Sequence, residues 1–177
     1  MDARSYSAGE TLKDGTPVTI RAIRREDAGT ILQAFRGLDR ESVYRRFFSS
    51  KKDLSPAELA QLTDVDFNLV VALVATKAVE NGEVLMGGGR YAVEDPASSA
   101  AEIAFMTDSN YRGLGIASII LKHLVLIARE AGISRLDGEV LAENQPMLAV
   151  FRKCGLPMRV RRDGSTVHFA LSLQGGA

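Results

Sequence analysis

Two hydrophobic periods alternate along this chain, and each change of period predicts a change of secondary structure. Near the start, "TLKDGTPVTIRAI" (residues 11–23) has two apolar runs around an Asp-Gly turn, which is typical of a β-hairpin. Helical spacing follows in residues 24–38, in 39–48 and in 55–63, the last of which opens with a capping box. We expect residues 1–9 to be a loose tail.

The spacing then becomes that of β-strands. Three apolar segments separated by turn residues, 68–76, 84–93 and 100–107, predict an antiparallel meander. The remainder of the chain alternates between helix and strand patterns. We predict a helix over 117–131, a strand over 135–141, a helix over 143–155 and a final hairpin over 158–173.

This order of elements predicts a single domain, residues 1–177, of the α/β (α+β) class. The strand–helix–strand unit from Glu102 to Val140 should be parallel and right-handed, whereas the hairpins are antiparallel. The central sheet is therefore expected to be mixed and mostly antiparallel, with helices on both faces.

Composition and charge narrow the classes of function. Acidic and basic residues balance at 22 each, and a net charge of zero gives no support for general nucleic-acid binding, which needs a basic surface. Cys154, His123 and His168 are too dispersed to predict a metal site, and charged neighbours place His123 on the surface. The longest apolar run is too short to span a membrane, and the N-terminus lacks a signal-peptide pattern. We therefore expect a cytoplasmic protein without metal, nucleic-acid or membrane partners.

The stretch "NYRGLGIASIILKHL" (residues 110–124) places two glycines and an arginine directly before an apolar helix. Gly113, Gly115 and Ser118 nearly spell a dinucleotide-binding turn. However, a polar stretch separates them from the preceding strand, and the third glycine is missing. A nucleotide-hydrolase loop would need a lysine after the second glycine, where Ile116 stands.

Two interpretations of the glycines remain. In a plain strand-to-helix turn, they would only supply a positive φ. In an anion site, they would let a diphosphate approach the backbone at the positive end of the helix, where Arg112 adds a fixed charge. The arginine and its position before the helix favour the anion site.

The same residues carry a resemblance to a known family. "RGLGIA" (residues 112–117) is similar to the R/Q-x-x-G-x-G/A signature of the GNAT family of N-acetyltransferases, in which this turn holds the pyrophosphate of acetyl-CoA. "AENQPMLAVFRKCGL" resembles the family's helix pattern N-x-x-A-x-x-x-Y-x-K-x-G-F, with Asn144 and Gly155 in register. The likeness covers nearly the whole chain. More narrowly, "TLKDGTPVTIRAIRREDA", "RESVYRRFF" and "AEIAFMT" resemble the acetyltransferase domain of bacterial protein lysine acetyltransferases.

The resemblance implies an acetyl-CoA site without a metal. A strand end would bind the pantetheine arm through backbone groups, and a backbone N–H near Met106 would polarise the thioester carbonyl. The parallel strand from Leu136 must splay away to admit that arm. Asn144 would face the cofactor, although it also suits a plain helix cap. The residues that the resemblance assigns to acetyl-CoA are Met106, Thr107, Arg112, Gly113, Leu114, Gly115, Ile116, Ala117 and Asn144.

Glu102 is the candidate catalytic residue. It alternates with Ala104 and Met106 on an otherwise apolar strand face, where partial burial would raise a carboxyl pKa toward the range of a general base. A glutamate at this position is the base in the lysine acetyltransferases that the chain resembles; an ion pair with an arginine is the structural alternative. Phe151 replaces the tyrosine that often acts as general acid, so the acid is water, another residue such as Tyr111, or unnecessary.

The sequence thus predicts an acetyl-CoA-dependent N-acetyltransferase that acts directly on a primary amine. A protein lysine is the first choice of acceptor, with the helical segment 37–48 on the acceptor side, and a small-molecule amine is left open. Two other interpretations are a non-catalytic acyl-CoA-binding sensor, which Phe151 favours, and a nucleotide-dependent oxidoreductase. A homodimer is compatible with the sequence.

Overall fold

An eight-stranded mixed sheet, with helices on both faces, forms the architecture. The computed structural model describes residues 1–36 and 54–175. The strands are β1 (Ser7–Thr11), β2 (Pro17–Ala22), β3 (Val70–Val79), β4 (Gly82–Ala92), β5 (Ala100–Thr107), β6 (Arg135–Leu141), β7 (Met158–Asp163) and β8 (Thr166–Ser172). The helices of this part are α1 (Ala28–Arg36), α2 (Pro56–Thr63), α3 (Ile116–Glu130) and α4 (Gln145–Arg152).

The strands follow the order β1-β2-β3-β4-β5-β6-β8-β7 across the sheet. Every neighbouring pair is antiparallel except β5 and β6, which are parallel. The predicted α/β class, the meander of β3, β4 and β5, and the parallel strand–helix–strand unit are all confirmed. The helix predicted over 39–48 lies outside the described residues.

Local sequence signals explain where the helices begin and end. The Ser55 hydroxyl accepts a hydrogen bond from the Glu58 N–H, and the Glu58 carboxylate accepts one from the Ser55 N–H, so the predicted capping box starts α2. Gly115 and Gly132 flank α3 with φ values of 87° and 80°, a region that glycine enters without steric cost. These glycines fix α3 within one residue of its predicted position.

The N-terminal residues differ from the expected loose tail. Residues Ala3–Ser5 form a short 3-10 turn, and β1 pairs with β2 along its whole length. The Tyr6 hydroxyl lies 2.5 Å from His123 Nδ1, while His123 Nε2 lies 2.6 Å from Glu10 Oε1. His123 is only 4% exposed, so its expected surface position is wrong. Polar partners more than 100 residues away in sequence offset the cost of burying this ring.

The hydrophobic core has two parts. The larger cluster packs one face of the sheet against α3 and α4, and it includes Leu73, Ile103, Ile120, Leu136 and Phe151. In the smaller cluster, α1 packs against the opposite face of the sheet. This cluster includes Ile31, Phe35, Ala72, Val74 and Leu85. Alternation along β3 explains the division, because successive side chains of a strand point to opposite faces.

The parallel strands β5 and β6 stay together over only a short length. They pair from Ala100 to Glu102 on β5, opposite Arg135 to Asp137 on β6. Beyond that point β5 remains paired with β4, whereas β6 remains paired with β8 as far as Leu141. The expected splay is therefore present, and it leaves an opening between the carboxyl-terminal halves of the two strands.

A buried ion-pair network fastens α1 to the sheet. Arg21 on β2 donates hydrogen bonds of 2.9 and 2.7 Å to the two carboxylate oxygens of Asp27, and it also contacts Glu83 from the start of β4. Burial acts to raise the pKa of Asp27. Hydrogen bonds from Arg21 and from the Arg24 N–H outweigh it and leave that pKa below its ordinary value.

We expect Asp27→Asn to lower the free energy of unfolding by about 3 kcal/mol near neutral pH, because Arg21 loses the more buried of the two carboxylates that compensate its burial. The contribution of a carboxylate with a lowered folded pKa is present above its unfolded pKa and is lost as pH falls through the folded value. The difference between wild type and variant should therefore shrink in acid. Urea denaturation from neutral pH to about pH 2 measures it.

Asp64→Asn is the matched control, because Asp64 pairs with Arg25 at 2.8 Å on the exposed surface. Its loss should cost less than about 1 kcal/mol. Equal losses in the two variants would contradict a special role of the buried network.

Candidate active site

The opening between β5 and β6 widens into a cavity of about 710 Å³. Its walls are the second half of β5, the glycine turn with the first turn of α3, and one face of α4. Nearly all residues that the sequence analysis assigned to acetyl-CoA line it together: Met106, Thr107, Arg112, Gly113, Gly115, Ile116, Ala117 and Asn144. Leu114 does not line it; its carbonyl accepts a hydrogen bond from the Lys13 N–H.

The glycine turn forms the end of the cavity beside α3. Gly113 and Gly115 have φ values of 79° and 87°, and Gly115 is the N-terminal cap of α3. The first N–H groups of an α-helix have no acceptor within the helix, and the first turn of α3 contains no acidic side chain. The exposed Arg112 adds positive charge on the same wall. This end of the cavity suits an anion such as a phosphate.

On one side of β5, the backbone N–H and C=O groups pair with those of β4. The two strands keep a constant register from Glu102 to Thr107, and the nearest β-bulge lies on the far side of β4, in its pairing with β3. The Asp108 N–H donates to the Met86 carbonyl at 3.0 Å. Because backbone groups of a strand alternate in direction, the N–H and C=O of Met106 also point toward β4.

On its other side, β5 faces β6 and then the opening. The Ser99 carbonyl accepts a hydrogen bond from the Arg135 N–H at 3.3 Å, so the odd-numbered positions face β6. After β6 has diverged, Phe105 and Thr107 are the positions whose backbone groups face the opening. A ligand in the cavity would therefore meet the N–H groups of these neighbours rather than that of Met106, which lies between them.

Glu102 lies at the last paired position of β5, where the two strands part. Its side chain is exposed, so the expected partial burial is wrong. The residue lines both the main cavity and a second cavity of about 530 Å³ beside it. Burial lowers the pKa of Arg90 on the neighbouring strand, and the charge of Glu102 partly offsets that shift. Glu102 thus stands on the rim between two cavities, within electrostatic reach of an arginine.

Charged side chains of both signs line the second cavity. Glu139 Oε1 lies 3.0 Å from His168 Nδ1, and Arg135 Nε lies 2.9 Å from Asp137 Oδ1. Glu139 shares with Glu102 the position between the two cavities. The sequence analysis gave these residues no role. The alternation of polar and buried positions in "RLDGEVL" could have shown that Asp137 and Glu139 share a face.

Aromatic rings form the inner wall of the main cavity. Phe151 is 1% exposed and stacks on Phe169 with ring centroids 4.0 Å apart, while Phe105 lies 5.8 Å from Phe151. Phe151 has no proton to donate. Hydroxyl groups reach the same cavity from Tyr111, Thr107 and Ser118.

Asn144 caps α4 and lines the main cavity. Its side-chain oxygen accepts a hydrogen bond of 3.4 Å from the Met147 N–H, and the residue is 8% exposed. The cap role expected from the sequence is present, and it leaves the amide nitrogen of Asn144 as a donor on the cavity wall. Within residues 1–36 and 54–175, no group of three or more His, Cys, Asp or Glu side chains could hold a metal ion.

Comparison with known proteins identifies the family of this chain. The model of the acetyltransferase (GNAT) family matches residues 39–156. An acetyltransferase of Pseudomonas aeruginosa is 34% identical over 142 residues, which cover 78% of this chain and 74% of that protein. The chain belongs to the GNAT family, whose members are N-acetyltransferases.

Solved structures share the fold. The GNAT domain of PAT from S. lividans has a TM-score of 0.82 and 30% identity, over 94% of this chain and 96% of that one. The protein yncA of Salmonella typhimurium, solved with acetyl-CoA, has a TM-score of 0.71 and 17% identity, over 90% of this chain and 96% of that one. The acetyltransferase Pat of Mycolicibacterium smegmatis is 31% identical over 65% of this chain, but the match spans only 34% of Pat. None of the helices in the described segments is long and apolar enough to cross a membrane.

The aromatic wall depends on a bare glycine. Gly138 on β6 faces Phe169 across the β6–β8 pair, and a Cβ on Gly138 would lie 2.4 Å from Phe169 Cζ. We expect Gly138→Ala to displace this ring, to destabilise the fold by about 1–3 kcal/mol and to weaken binding of coenzyme A. Thermal denaturation with and without coenzyme A measures both effects.

The matched control is Gly29→Ala in α1, where an added Cβ meets nothing within 4 Å. Alanine there should stabilise the helix by about 0.5–1 kcal/mol and leave the shift caused by coenzyme A unchanged. If Gly138→Ala instead left stability and ligand shift at wild-type values, the packing argument would fail.

Proposed function

We propose that this chain transfers the acetyl group of acetyl-CoA directly to a primary amine, with a protein lysine as the acceptor. The observation that carries the proposal is the polarity of the opening between β5 and β6. One end has the glycine turn and Arg112, which suit phosphates. The other end has Glu102 and Glu139, which suit an ammonium group.

The donor fits the main cavity in one direction. Its phosphates would lie at the glycine turn, where backbone N–H groups and Arg112 stabilise negative charge. Its pantetheine arm would run along β5 and hydrogen-bond the backbone groups of Phe105 and Thr107. The thioester would then reach the point where the strands part, close to Glu102.

The acceptor would approach from the second cavity. Its ammonium group must lose a proton before it can attack, because the protonated nitrogen has no lone pair. We assign this proton to the Glu102 carboxylate, which can pass it to solvent because the side chain is exposed. The segment 37–48, proposed for the acceptor side, lies outside the described residues.

The chemical step is an acyl transfer. The amine nitrogen attacks the thioester carbon, a C–N bond forms, and negative charge develops on the carbonyl oxygen. Of the N–H groups that face the opening, that of Phe105 is the nearer to Glu102 and is the strand donor available to stabilise that charge. As the intermediate collapses, the nitrogen gives up its second proton to solvent, the C–S bond breaks, and coenzyme A leaves as a thiolate. Water or the Tyr111 hydroxyl can protonate it, and a thiolate also leaves without help because its pKa is moderate.

Protein lysine is favoured over a small amine by two features. The chain resembles the bacterial protein lysine acetyltransferases in several segments along its length. In addition, the second cavity is lined by side chains of both signs, which can contact polar groups on either side of a lysine in a polypeptide. A small amine needs no such extended surface.

Replacing the proposed base tests the mechanism. Glu102→Gln should lower kcat by about 10²- to 10⁴-fold, because the acceptor keeps its proton, while the Kd of acetyl-CoA stays nearly unchanged. The deficit should narrow as pH rises toward the pKa of the acceptor amine. Thiol-release kinetics over a pH series and calorimetric titration give the two quantities.

Glu94→Gln is the control, because Glu94 lines the second cavity but not the main cavity, in which the thioester would lie. It should alter kcat little. A Glu102→Gln enzyme with unchanged turnover would remove Glu102 from the mechanism.

An acceptor screen tests the substrate class. Acetyl-CoA is offered with lysine-containing peptides, polyamines, amino acids and amine antibiotics, and thiol release and product mass are recorded. We expect the highest kcat/KM with lysine peptides. Efficient turnover of a small amine alone would contradict the lysine assignment, and tight acetyl-CoA binding without any turnover would favour the sensor interpretation that Phe151 suggested.

A further inference from the structure

The hairpin between β1 and β2 reaches the donor cavity from an unexpected part of the chain. Its tip, residues 12–16, is closed by hydrogen bonds from the Leu12 N–H to the Thr16 carbonyl (2.9 Å) and from the Gly15 N–H to the Leu12 carbonyl (3.0 Å). Lys13 at this tip is exposed and lines the main cavity. It lies outside the sequence signature of the glycine turn.

The tip rests directly on the glycine turn. The Lys13 N–H donates to the Leu114 carbonyl at 3.2 Å. The aliphatic part of the Lys13 side chain lies over Gly115, since a Cβ on Gly115 would lie 3.3 Å from Lys13 Cε and 3.5 Å from Cγ. A larger residue than glycine at position 115 would displace this side chain, which lines the cavity beside the glycine turn.

The position of the hairpin is fixed by contacts below its tip. Tyr6, His123 and Glu10 form a chain of hydrogen bonds of 2.5 and 2.6 Å, and the Lys122 ammonium lies 2.8 Å from Glu10. These contacts join β1 to the middle of α3. Lys13 is therefore placed relative to the start of α3 before any ligand binds, which lowers the entropic cost of using it.

The carboxylates of the hairpin and of the turn before α3 have other hydrogen-bond partners than Lys13. Asp14 accepts a hydrogen bond from the Thr16 N–H (3.0 Å), Asp108 accepts one from the Asn110 N–H (2.9 Å), and Glu10 pairs with Lys122. In the portion of the chain that the structure describes, Lys13 forms no ion pair. Its charge adds to that of the glycine-turn wall instead of being neutralised.

We infer that Lys13 binds a phosphate group of the acyl donor and so extends the coenzyme A site onto the N-terminal hairpin. The inference rests on the proposed use of acetyl-CoA. Coenzyme A carries two kinds of phosphate, the central diphosphate and the 3′-phosphate of its ribose. Both offer the same chemistry to an ammonium group.

Donor analogues distinguish these phosphates. Wild type and Lys13→Gln are compared with acetyl-CoA, with its 3′-dephospho analogue and with acetyl-pantetheine, which has no phosphate. We expect Lys13→Gln to raise the KM for acetyl-CoA about tenfold, the usual effect of losing a hydrogen bond to a charged group. The kcat at saturating donor and the Tm without ligand should remain at wild-type values.

Each result has a defined meaning. A similar rise for the dephospho analogue assigns Lys13 to the diphosphate, and a rise for acetyl-CoA alone assigns it to the 3′-phosphate. Both outcomes support the inference, as does recovery of the KM in Lys13→Arg. An unchanged KM, or an equal rise with acetyl-pantetheine, overturns it, because the lysine would then act without a phosphate.

Lys77→Gln controls for general charge effects. Lys77 is an exposed lysine close enough to Asp14 to influence its pKa, but it does not line the main cavity. Its replacement should leave the KM for every donor unchanged. Calorimetric titration of wild type with coenzyme A tests the proposed donor separately from the role of Lys13. If wild type does not bind coenzyme A, the proposed use of acetyl-CoA is wrong. If wild type binds it and Lys13→Gln leaves the KM unchanged, only the role of Lys13 is wrong.

Discussion

The separation of β5 and β6 after Glu102 is the constraint on which the rest of the structure depends. Backbone N–H and C=O groups on a sheet require partners, and β5 loses those that β6 would supply. Beyond Asp137, β6 stays paired with β8 and no longer with β5, and Phe169 packs over Gly138 beside the opening. A ligand or water must therefore meet the free groups of β5. The binding site is a consequence of interrupted strand pairing, and the surrounding helices complete its walls.

The opening has opposite chemical character at its two ends. Positive groups gather at the start of α3, where Arg112 and the hairpin lysine share a wall with the first N–H groups of the helix. Carboxylates gather at the other end, where Glu102 and Glu139 lie between the two cavities. Such a gradient orients a donor with phosphates at one end and draws a cationic amine to the other. In the proposed function, the same charges would thus both bind and orient the two substrates.

Much of this arrangement was predictable, because its signals are local. The periods of the apolar positions, the capping box and the glycines flanking α3 all act within a few residues, and they fixed the order of the elements. The contacts of His123 and Lys13 were not predictable in this way. They join β1 to α3 across about 100 residues, and each residue taken alone resembles an ordinary surface group. The exposure of Glu102 was also missed, since alternation shows which face a side chain occupies but not what covers that face.

Phe151 stands where related enzymes often have a tyrosine that acts as general acid, and the proposed reaction does not require an acid at that position. Phe151 stacks on Phe169 and packs near Phe105, so the inner wall is apolar. A hydroxyl there would need its own hydrogen-bond partner, and burying it unpaired would be costly. The proton that must be removed before the reaction belongs to the acceptor, and Glu102, the base that we propose, lies at the open rim. The leaving thiolate needs no buried acid, because an ordinary thiol has a pKa of about 8.5, which makes its thiolate a fair leaving group, and water can protonate it afterwards. An aromatic wall can therefore replace the acid and contribute packing against the donor.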